Sequence, residues 1–454
     1  MNISKILKNI PDYTEFMTVE ELDNSSRRLA KKFNGVELLD VGKSRLGRSI
    51  LCLKIGDGKK KALLFAFPHP NEPIGSLTVE FLAQYLAENP NITKQLGYTW
   101  YLIKVIDPDG AVLNEGWFKG KFNPIKYAQN YYRPAPHEQI EWTFPINYKK
   151  LNFTKPPPET QALMRIFKEV KPLFMYSLHN AGFCGIYWYV SHNLKAMFPD
   201  LVNLVEKEGL PIHRGEPEAP YIKALSPAIY QLFGIQESYD FFEENGVMNP
   251  EELIKNGTSS DDYLKQITNN KGFTLVCEMP YFYDNALEDD SESNYGYREK
   301  RLEFFDNFKK VHEFAKSKFE LIRKYCNKRS KIFTSVLDFI DEFEKRVEPE
   351  IQFTKISDEY KGNATIAQAF DLMVGNKYYT TLPVAMIARL CNEVATSCPD
   401  MKDKALQIKG ELDLWVKKTI EDLLTKTNFK VIPIQKLVKI QVGSALIAMQ
   451  NLVD

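Results

Sequence analysis

The sequence contains no run of about 18 consecutive apolar residues, which argues against a helix that crosses a membrane. Residues 1–16, MNISKILKNIPDYTEF, also lack the long apolar segment of a conventional signal peptide. The six cysteines lie far apart and form no C-x-x-C pair, so we expect a reduced chain without a disulfide framework. These absences predict a cytoplasmic protein without a membrane partner.

The sequence also lacks an excess of charge of either sign, since 59 lysines and arginines balance 59 aspartates and glutamates. Nucleic-acid binding usually requires a basic surface, so the composition does not favour a nucleic-acid partner. The apolar content of 44% and the charged content of 26% are ordinary for a globular protein. With 454 residues, the chain exceeds what one hydrophobic core usually organises, which predicts two domains.

A candidate metal-binding motif lies in residues 61–77, KALLFAFPHPNEPIGSL. Its apolar segment 62–67 predicts a buried strand, and a helix is predicted to follow the motif. Between the two, His69 and Glu72 bring an imidazole nitrogen and a carboxylate oxygen within reach of one ion. Zinc accepts both ligand types, and a catalytic zinc usually has three protein ligands and one open position. The motif therefore predicts a third ligand elsewhere in the chain.

Two further apolar segments end in residues that zinc hydrolysis requires. LFMYSLH ends in His179, and FTLVCE ends in Glu278. Open α/β sheets carry their active sites at the carboxyl ends of the strands, so we expect these strand ends to meet at one edge. In that arrangement His179 is the third ligand and Glu278 is the general base.

The pattern along the chain predicts the fold class. Residues 36–55 predict an edge hairpin, the aromatic and proline-rich residues 114–158 predict a long functional loop, and the apolar spacing in residues 222–233 predicts a helix. In the last third of the chain, apolar residues recur at spacings of three and four, which is typical of helices. We predict an α/β domain over residues 1–328, with a mixed, mostly parallel sheet flanked by helices, followed by an all-α domain over residues 329–454.

The residues described so far, in this order, resemble the zinc carboxypeptidases, the carboxypeptidase A-like metallopeptidase family. The resemblance covers about residues 10–325 and includes the segments VGKSRLGRSILCLKIG, HPNEPIG, IDPDGAV, PPPETQAL and SLHN. Its specific elements are the His-x-x-Glu pair, the later histidine and the distal glutamate. The helical segment after residue 330 lies outside the resemblance.

The resemblance implies a peptidase with one zinc ion held by His69, Glu72 and His179. It implies that Glu278 activates a zinc-bound water for attack on an amide carbonyl and then protonates the leaving amine. It further implies an arginine that stabilises the oxyanion, and Arg133 in NYYRPAP occupies about the corresponding place. The implied substrate is a peptide or another amide.

The chain departs from the family at the Asn-Arg pair that binds the free carboxylate of the substrate. The nearest match is Asn147 followed by Tyr148 in FPINYKK. A tyrosine offers one uncharged hydrogen bond, whereas an arginine offers a bidentate, charged contact. Either a following lysine supplies the charge, or the substrate is not an ordinary C-terminus and is instead a modified or cell-wall-type peptide. Asn180, in SLHN, is a further candidate for lining the substrate pocket.

Two alternative functions remain open from the sequence. A zinc-dependent deacylase of small N-acyl amino acids also uses His-x-x-Glu and a later histidine, although such enzymes usually carry an extra β domain. A binding module that keeps zinc without turnover has no need of a base such as Glu278. Whether the helical segment mediates oligomerisation is left open as well.

Overall fold

A computed structural model describes residues 2–452 and shows one large sheet between layers of helices. The strands of the described part are β1 Val36–Lys43, β2 Ser49–Ile55, β3 Lys60–Ala66, β4 Tyr98–Ile103, β5 Ile146–Tyr148, β6 Leu151–Phe153, β7 Phe174–Leu178, β8 Tyr187–Val190, β9 Ala224–Ser226, β10 Ile229–Gln231, β11 Phe273–Glu278, β12 Phe282–Tyr283, β13 Glu292–Gly296, β14 Asn363–Thr365 and β15 Lys430–Val431. The α-helices of the described part are α1 Ile3–Leu7, α2 Val19–Lys32, α3 Ile74–Glu88, α4 Pro90–Leu96, α5 Pro108–Asn114, α6 Pro124–Gln129, α7 Pro158–Val170, α8 Phe198–Lys207, α9 Ile235–Glu244, α10 Pro250–Leu253, α11 Ser260–Thr268, α12 Tyr297–Glu320, α13 Lys331–Ile356, α14 Ile366–Phe370, α15 Asn376–Ser397, α16 Lys402–Thr425 and α17 Ile434–Asn451.

Among residues 2–452, nine strands form the main sheet in the order β1-β2-β4-β3-β7-β11-β8-β10-β9. The central strands β4, β3, β7 and β11 run parallel, and antiparallel pairs flank them on both sides. Leu178 of β7 pairs with Ala66 of β3 on one side and with Cys277 of β11 on the other. The three strands that lead to the predicted site residues therefore end side by side. The predicted mixed α/β fold class is confirmed.

Strand β3 shows why the central strands are continuous apolar segments. Its residues Ala62 and Leu64 belong to one hydrophobic cluster, together with residues of α3 and α17. Its residues Leu63 and Phe65 belong to a second cluster, together with residues of α7. Because a central strand of this kind is buried on both faces, its sequence does not alternate between apolar and polar residues.

The C-terminal helices share a hydrophobic core with the sheet. Helix α17 packs against α3 and α8, and α15 packs against α6 and α16. One cluster of buried apolar residues extends from Ile6 to Met449. The predicted division between residues 328 and 329 stays a prediction, and the packing does not separate the two parts. Residues 453–454 of the predicted helical domain lie outside the described residues.

The local predictions have different outcomes. The hairpin predicted for residues 36–55 is confirmed, because β1 and β2 pair antiparallel. The helix predicted for residues 222–233 is wrong, because this segment forms β9 and β10. Ala228 turns the chain between them with a φ of 58°, and β10 then pairs with β8, so sheet pairing outweighs the local apolar spacing. Residues 114–158 contain helix α6 and the hairpin β5–β6 within the predicted loop.

Within residues 2–452, no helix combines the length and the apolar character that crossing a membrane requires. The six cysteines are free thiols, and all of them except Cys398 are buried. A buried thiol packs as a small apolar side chain, so these cysteines contribute to the core.

Candidate metal centre and cavity

The sheet edge at which β3, β7 and β11 end carries the predicted metal ligands. After β3 the chain turns at Phe67, a buried residue with a φ of 58°. This left-handed backbone is unfavourable for a bulky side chain, and such strain is common where a site constrains the chain. The turn places His69 and Glu72 beside His179, which directly follows β7.

Helix α3 begins shortly after Glu72 and lies close to the end of β7. A Cβ atom on Gly75 would lie 2.5 Å from the Cβ of Leu178, so glycine permits this close approach. The backbone N–H of Ile74 donates to Oδ1 of Asn180 at 3.0 Å. The start of α3 is thereby fixed against the segment that carries His179.

His69, Glu72 and His179 form a compact, buried cluster. One ligand atom from each of the three residues lies within 4.8 Å of the others. The Nδ1 atoms of His69 and His179 lie 3.0 and 3.1 Å from the two carboxylate oxygens of Glu72. Two imidazoles and one carboxylate form a known ligand set of catalytic zinc. Each ring directs its Nδ1 atom toward the carboxylate of Glu72, which lies between the two rings.

The electrostatics of His69 and Glu72 fit a bound metal cation. Burial and the positive charge of Arg133 lower the pKa of His69 to about 4, so its ring is neutral and offers a lone pair. Burial would raise the pKa of Glu72, but the neighbouring imidazoles hold it far below its usual range. The cluster therefore contains a neutral nitrogen ligand and an ionised oxygen ligand.

His179 lies between two carboxylates, and sequence reasoning missed the second of them. Its Nδ1 faces Glu72, yet it finds no hydrogen-bond partner within residues 2–452. Its Nε2 lies 3.0 Å from the hydroxyl of Ser177 and 3.7 Å from Glu141. Burial would lower the pKa of His179, but Glu141 and Glu72 raise it well above its usual range, so this position attracts a proton or a metal cation. A zinc ion would satisfy the orphaned Nδ1, and the residues fit zinc on that ground.

Glu141 is linked to the ring of His179 through the hydroxyl of Ser177. The hydroxyl of Ser177 donates to Oε2 of Glu141 at 2.7 Å, and the backbone N–H of Ser260 donates to Oε1 at 3.2 Å. Metal-ligating histidines usually have a hydrogen-bond partner on the second ring nitrogen, and for His179 the hydroxyl of Ser177 lies at this position. Glu141 lies in an irregular aromatic segment far from His179 in the sequence, so no spacing pattern links the two.

Arg133 and Glu278 border the ligand cluster. One guanidinium nitrogen of Arg133 donates to Oε1 of Glu72 at 3.0 Å, and another lies 3.0 Å from Nε2 of His69. The Oε1 atom of Glu278 lies 3.8 Å from Nδ1 of His179. Burial raises the pKa of Glu278 well above its usual range; the charge of Glu72 adds to this and that of His179 opposes it. The structure therefore brings all five of these predicted residues together.

The three predicted substrate-binding residues lie in two different places. Asn180 lines the cavity beside the cluster, and its backbone N–H donates to Oε2 of Glu72 at 3.2 Å. Asn147 and Tyr148 lie in the hairpin β5–β6, and the hydroxyl of Tyr148 donates to Asp240 at 2.9 Å. Neither of these two is among the described residues that line the cavity. Their contact with substrate stays a prediction, which this placement does not favour.

A cavity of about 500 Å³ extends from the ligand cluster into the protein. Part of its wall comes from the sheet and its loops, where the hydroxyl of Tyr187 donates to Glu218 at 2.6 Å. The rest comes from the C-terminal helices and includes Phe305 of α12, Glu350 of α13 and Tyr379 of α15. The cavity therefore lies between the sheet and the C-terminal helices.

The charged side chains of the cavity are mostly carboxylates. Of the described residues that line it, two are arginines and none is a lysine. Both arginines are engaged, Arg133 with Glu72 and Arg301 with Glu216. Burial raises the pKa of Glu350 to about 7, and the nearby charge of Arg301 opposes this rise.

Comparison with known proteins relates this site to one family. The sequence profile of the family described as zinc carboxypeptidase matches residues 24–280. The matched segment contains His69, Glu72, Arg133, His179 and Glu278. No curated protein sequence matches the chain.

Solved structures that are similar to this chain include two carboxypeptidases. A metallo-carboxypeptidase from Burkholderia cenocepacia has 14% identity and a TM-score of 0.37, over 58% of this chain and 60% of that chain. Carboxypeptidase A from Helicoverpa armigera has 16% identity and a TM-score of 0.39, over 59% of this chain and 65% of that chain. The chain thus spans less than two thirds of the length of either relative.

Proposed function

The chain belongs to the zinc carboxypeptidase family, and from this premise we propose that it is a zinc-dependent hydrolase of peptide or amide bonds. The family implies zinc as the metal. The observation that carries the proposal is the convergence of His69, Glu72 and His179 within 4.8 Å, with Glu278 and Arg133 at their border and a cavity beside them.

The roles of the residues follow from their positions. Zinc held by the three ligands would act as a Lewis acid and lower the pKa of a water molecule. Glu278 accepts the proton that the attacking water loses and delivers it to the amine nitrogen as the C–N bond breaks. Arg133 donates hydrogen bonds to the carbonyl oxygen while this oxygen gains negative charge.

Metal removal tests the proposed activity. We expect the zinc-loaded protein to hydrolyse peptides, to lose this activity on dialysis against a chelator, and to regain it when Zn²⁺ is added back. The physical reason is that an amide resists attack by water unless the water is deprotonated and the carbonyl is polarised. Undiminished hydrolysis by fully demetallated protein would contradict the proposal.

We further propose that the enzyme does not require a free carboxylate on its substrate. Of the two arginines of the cavity, Arg301 is paired with Glu216 and Arg133 is assigned to the carbonyl oxygen. The hairpin that carries Asn147 and Tyr148 lies outside the cavity wall. A substrate without an ordinary C-terminus, such as a modified or cell-wall-type peptide, agrees with these positions.

Paired peptides that differ only in a free or an amidated C-terminus test this second proposal. We expect similar values of kcat/KM for both members of each pair. A hydrogen bond to a charged group contributes about 1.5–3 kcal/mol, so a site that binds the carboxylate would favour the free acid by about 10- to 150-fold. A preference of that size would contradict the proposal and point to one of the lysines that follow Tyr148.

Some expectations from the sequence stay predictions. They are a cytoplasmic location, a role of the C-terminal helices in oligomerisation, and deacylation of small N-acyl amino acids as the alternative reaction. Faster hydrolysis of N-acetyl amino acids than of peptides by the zinc-loaded protein would favour the deacylase.

A further inference from the structure

Helix α17 places a buried glutamine against the metal cluster. Gln441 is 0% exposed, and its Nε2 donates to the backbone carbonyl of His179 at 3.0 Å. Its Oε1 accepts from the hydroxyl of Thr78 in α3 at 2.7 Å. The pairing of β7 with its neighbouring strands ends at Leu178, one residue before His179. The side chain of Gln441 therefore supplies the hydrogen-bond donor that the buried carbonyl of His179 needs.

Helix α15 holds the segment that follows His179. The hydroxyl of Tyr379 accepts from the backbone N–H groups of Gly182 at 2.9 Å and Phe183 at 3.0 Å. Burial raises the pKa of Tyr379 well above its usual range, so the phenol is neutral. A phenol oxygen accepts such bonds without introducing a charge into the cavity wall. The first turn after the ligand is therefore fixed by a residue from the C-terminal helices.

The loop that carries Arg133 is held from the same side. The hydroxyl of Ser335 in α13 donates to the backbone carbonyl of Arg133 at 2.6 Å. Arg389 in α15 donates to the carbonyls of Asn130 and Tyr131 at 2.8 Å each, and to a third carbonyl at the end of α5. Burial lowers the pKa of Arg389. The three hydrogen bonds of its guanidinium fix the backbone of this loop.

We propose that helices α13, α15 and α17 position the active-site backbone, with Gln441 as a positioning residue for His179 and Tyr379 as one for the segment that follows it. The family match ends at residue 280, so these contacts come from outside the matched segment. The expected effect of Tyr379 on kcat/KM rests on the proposed function, whereas the expected effect of Gln441 on zinc affinity does not.

If the C-terminal helices only filled the core, their side chains would not need to form hydrogen bonds with the active-site backbone, as Gln441 and Tyr379 do. Apolar packing is not directional, whereas a hydrogen bond weakens steeply when its angle is lost. A buried amide with both ends bonded therefore specifies one arrangement of its neighbours. Metal ligands must be held to within about 0.5 Å, so the placement of the His179 carbonyl affects zinc affinity.

Substitutions of two glutamines on α17 test the role of Gln441. Gln441→Met keeps the length of the side chain but removes its donor and its acceptor. The matched control is Gln435→Met, because Gln435 donates to the backbone carbonyl of Ile10 at 2.8 Å, away from the site. In metal-free protein, we expect Gln441→Met to lower the affinity for Zn²⁺ by about tenfold or more. We also expect it to change the visible absorption spectrum of the Co²⁺ complex, while Gln435→Met changes neither.

Substitutions of two adjacent tyrosines test the role of Tyr379. Tyr379→Phe removes one oxygen atom and leaves two backbone N–H groups without their acceptor, for which we expect a loss in kcat/KM of about tenfold. The matched control is Tyr378→Phe, because Tyr378 donates to the carbonyl of Pro124 at 3.1 Å. This variant should retain the wild-type kcat/KM.

Equal zinc affinity and equal Co²⁺ spectra in the two glutamine variants would overturn the role of Gln441. Equal kcat/KM in the two phenylalanine variants would overturn that of Tyr379. If Gln441→Met does not fold, the tyrosine pair decides the proposal, since each of these variants lacks only one atom. Zinc binding without peptide hydrolysis in the wild-type protein would contradict only the proposed function. The zinc affinities of Gln441→Met and Gln435→Met would still test the role of Gln441.

Discussion

Replacing Glu278 with glutamine is expected to lower kcat/KM for a peptide by about 10²- to 10⁴-fold, the range that a positioned general base contributes. Glutamine keeps the shape of the buried side chain at the end of β11, but its amide does not accept the proton of the attacking water. The zinc content should be unchanged, because Glu278 lies beside the ligands, 3.8 Å from Nδ1 of His179. Steady-state kinetics and metal analysis of the same preparation measure both quantities.

Glu88→Gln is a suitable control, because Glu88 is an exposed residue at the far end of α3. It should retain the wild-type activity. If Glu278→Gln also retained it, Glu278 would not be the general base. The same variant separates an enzyme from a zinc-binding module without turnover. In such a module the wild-type protein shows no hydrolysis and the variant keeps its affinity for the bound peptide.

Replacing His179 with alanine is expected to abolish both zinc binding and hydrolysis. The substitution leaves His69 and Glu72 as ligands, whereas a catalytic zinc usually has three. Loss of a residue that only orients a ligand costs about 10- to 100-fold in metal affinity, so the loss of a ligand should cost more. Zinc titration of the metal-free variant measures the effect directly.

The matched control for this variant is His312→Ala. His312 is a buried histidine of α12, and its Nε2 lies 3.0 Å from the carbonyl of Ile340. Both substitutions remove a buried imidazole, so a difference between them in zinc affinity reports on the metal site. Zinc affinity that is equal in the two variants would exclude His179 as a ligand.

The residues at the strand ends could be predicted because local patterns determine them. A continuous apolar segment predicts a strand that is buried on both faces, and the residue after it lies at the sheet edge. In β7 this residue is His179, whereas Glu278 is the last residue of β11 and His69 lies three residues beyond the end of β3, after a short turn. Parallel pairing then brings the three ends together, as the pairing of Leu178 with both neighbouring strands shows.

The contacts that complete the site could not be predicted, because they join distant parts of the chain. Gln441 contacts a residue 262 positions earlier in the sequence. Glu141 approaches His179 from an irregular segment without periodicity. Such side-chain contacts depend on how the elements pack and leave no local spacing pattern. The helix predicted for residues 222–233 is wrong for a related reason, since pairing with β8 determines that segment.

The Asn147–Tyr148 pair illustrates a limit of matching a family by order alone. The pair occupies about the expected place in the sequence, yet the hairpin β5–β6 directs Tyr148 toward Asp240 on α9. A residue that matches a family position by its order in the sequence can thus lie on a different surface from the one that this position occupies in the family. The carboxylate site of the family therefore cannot be assigned to this chain from sequence order.

The central claim is that His69, Glu72 and His179 hold a single zinc ion. Titration of the metal-free wild-type protein with Zn²⁺, followed by metal analysis of the desalted protein, tests it most directly. We predict one tightly bound zinc ion per chain. A protein that retains no zinc after desalting, or that saturates at several equivalent ions, would contradict the claim.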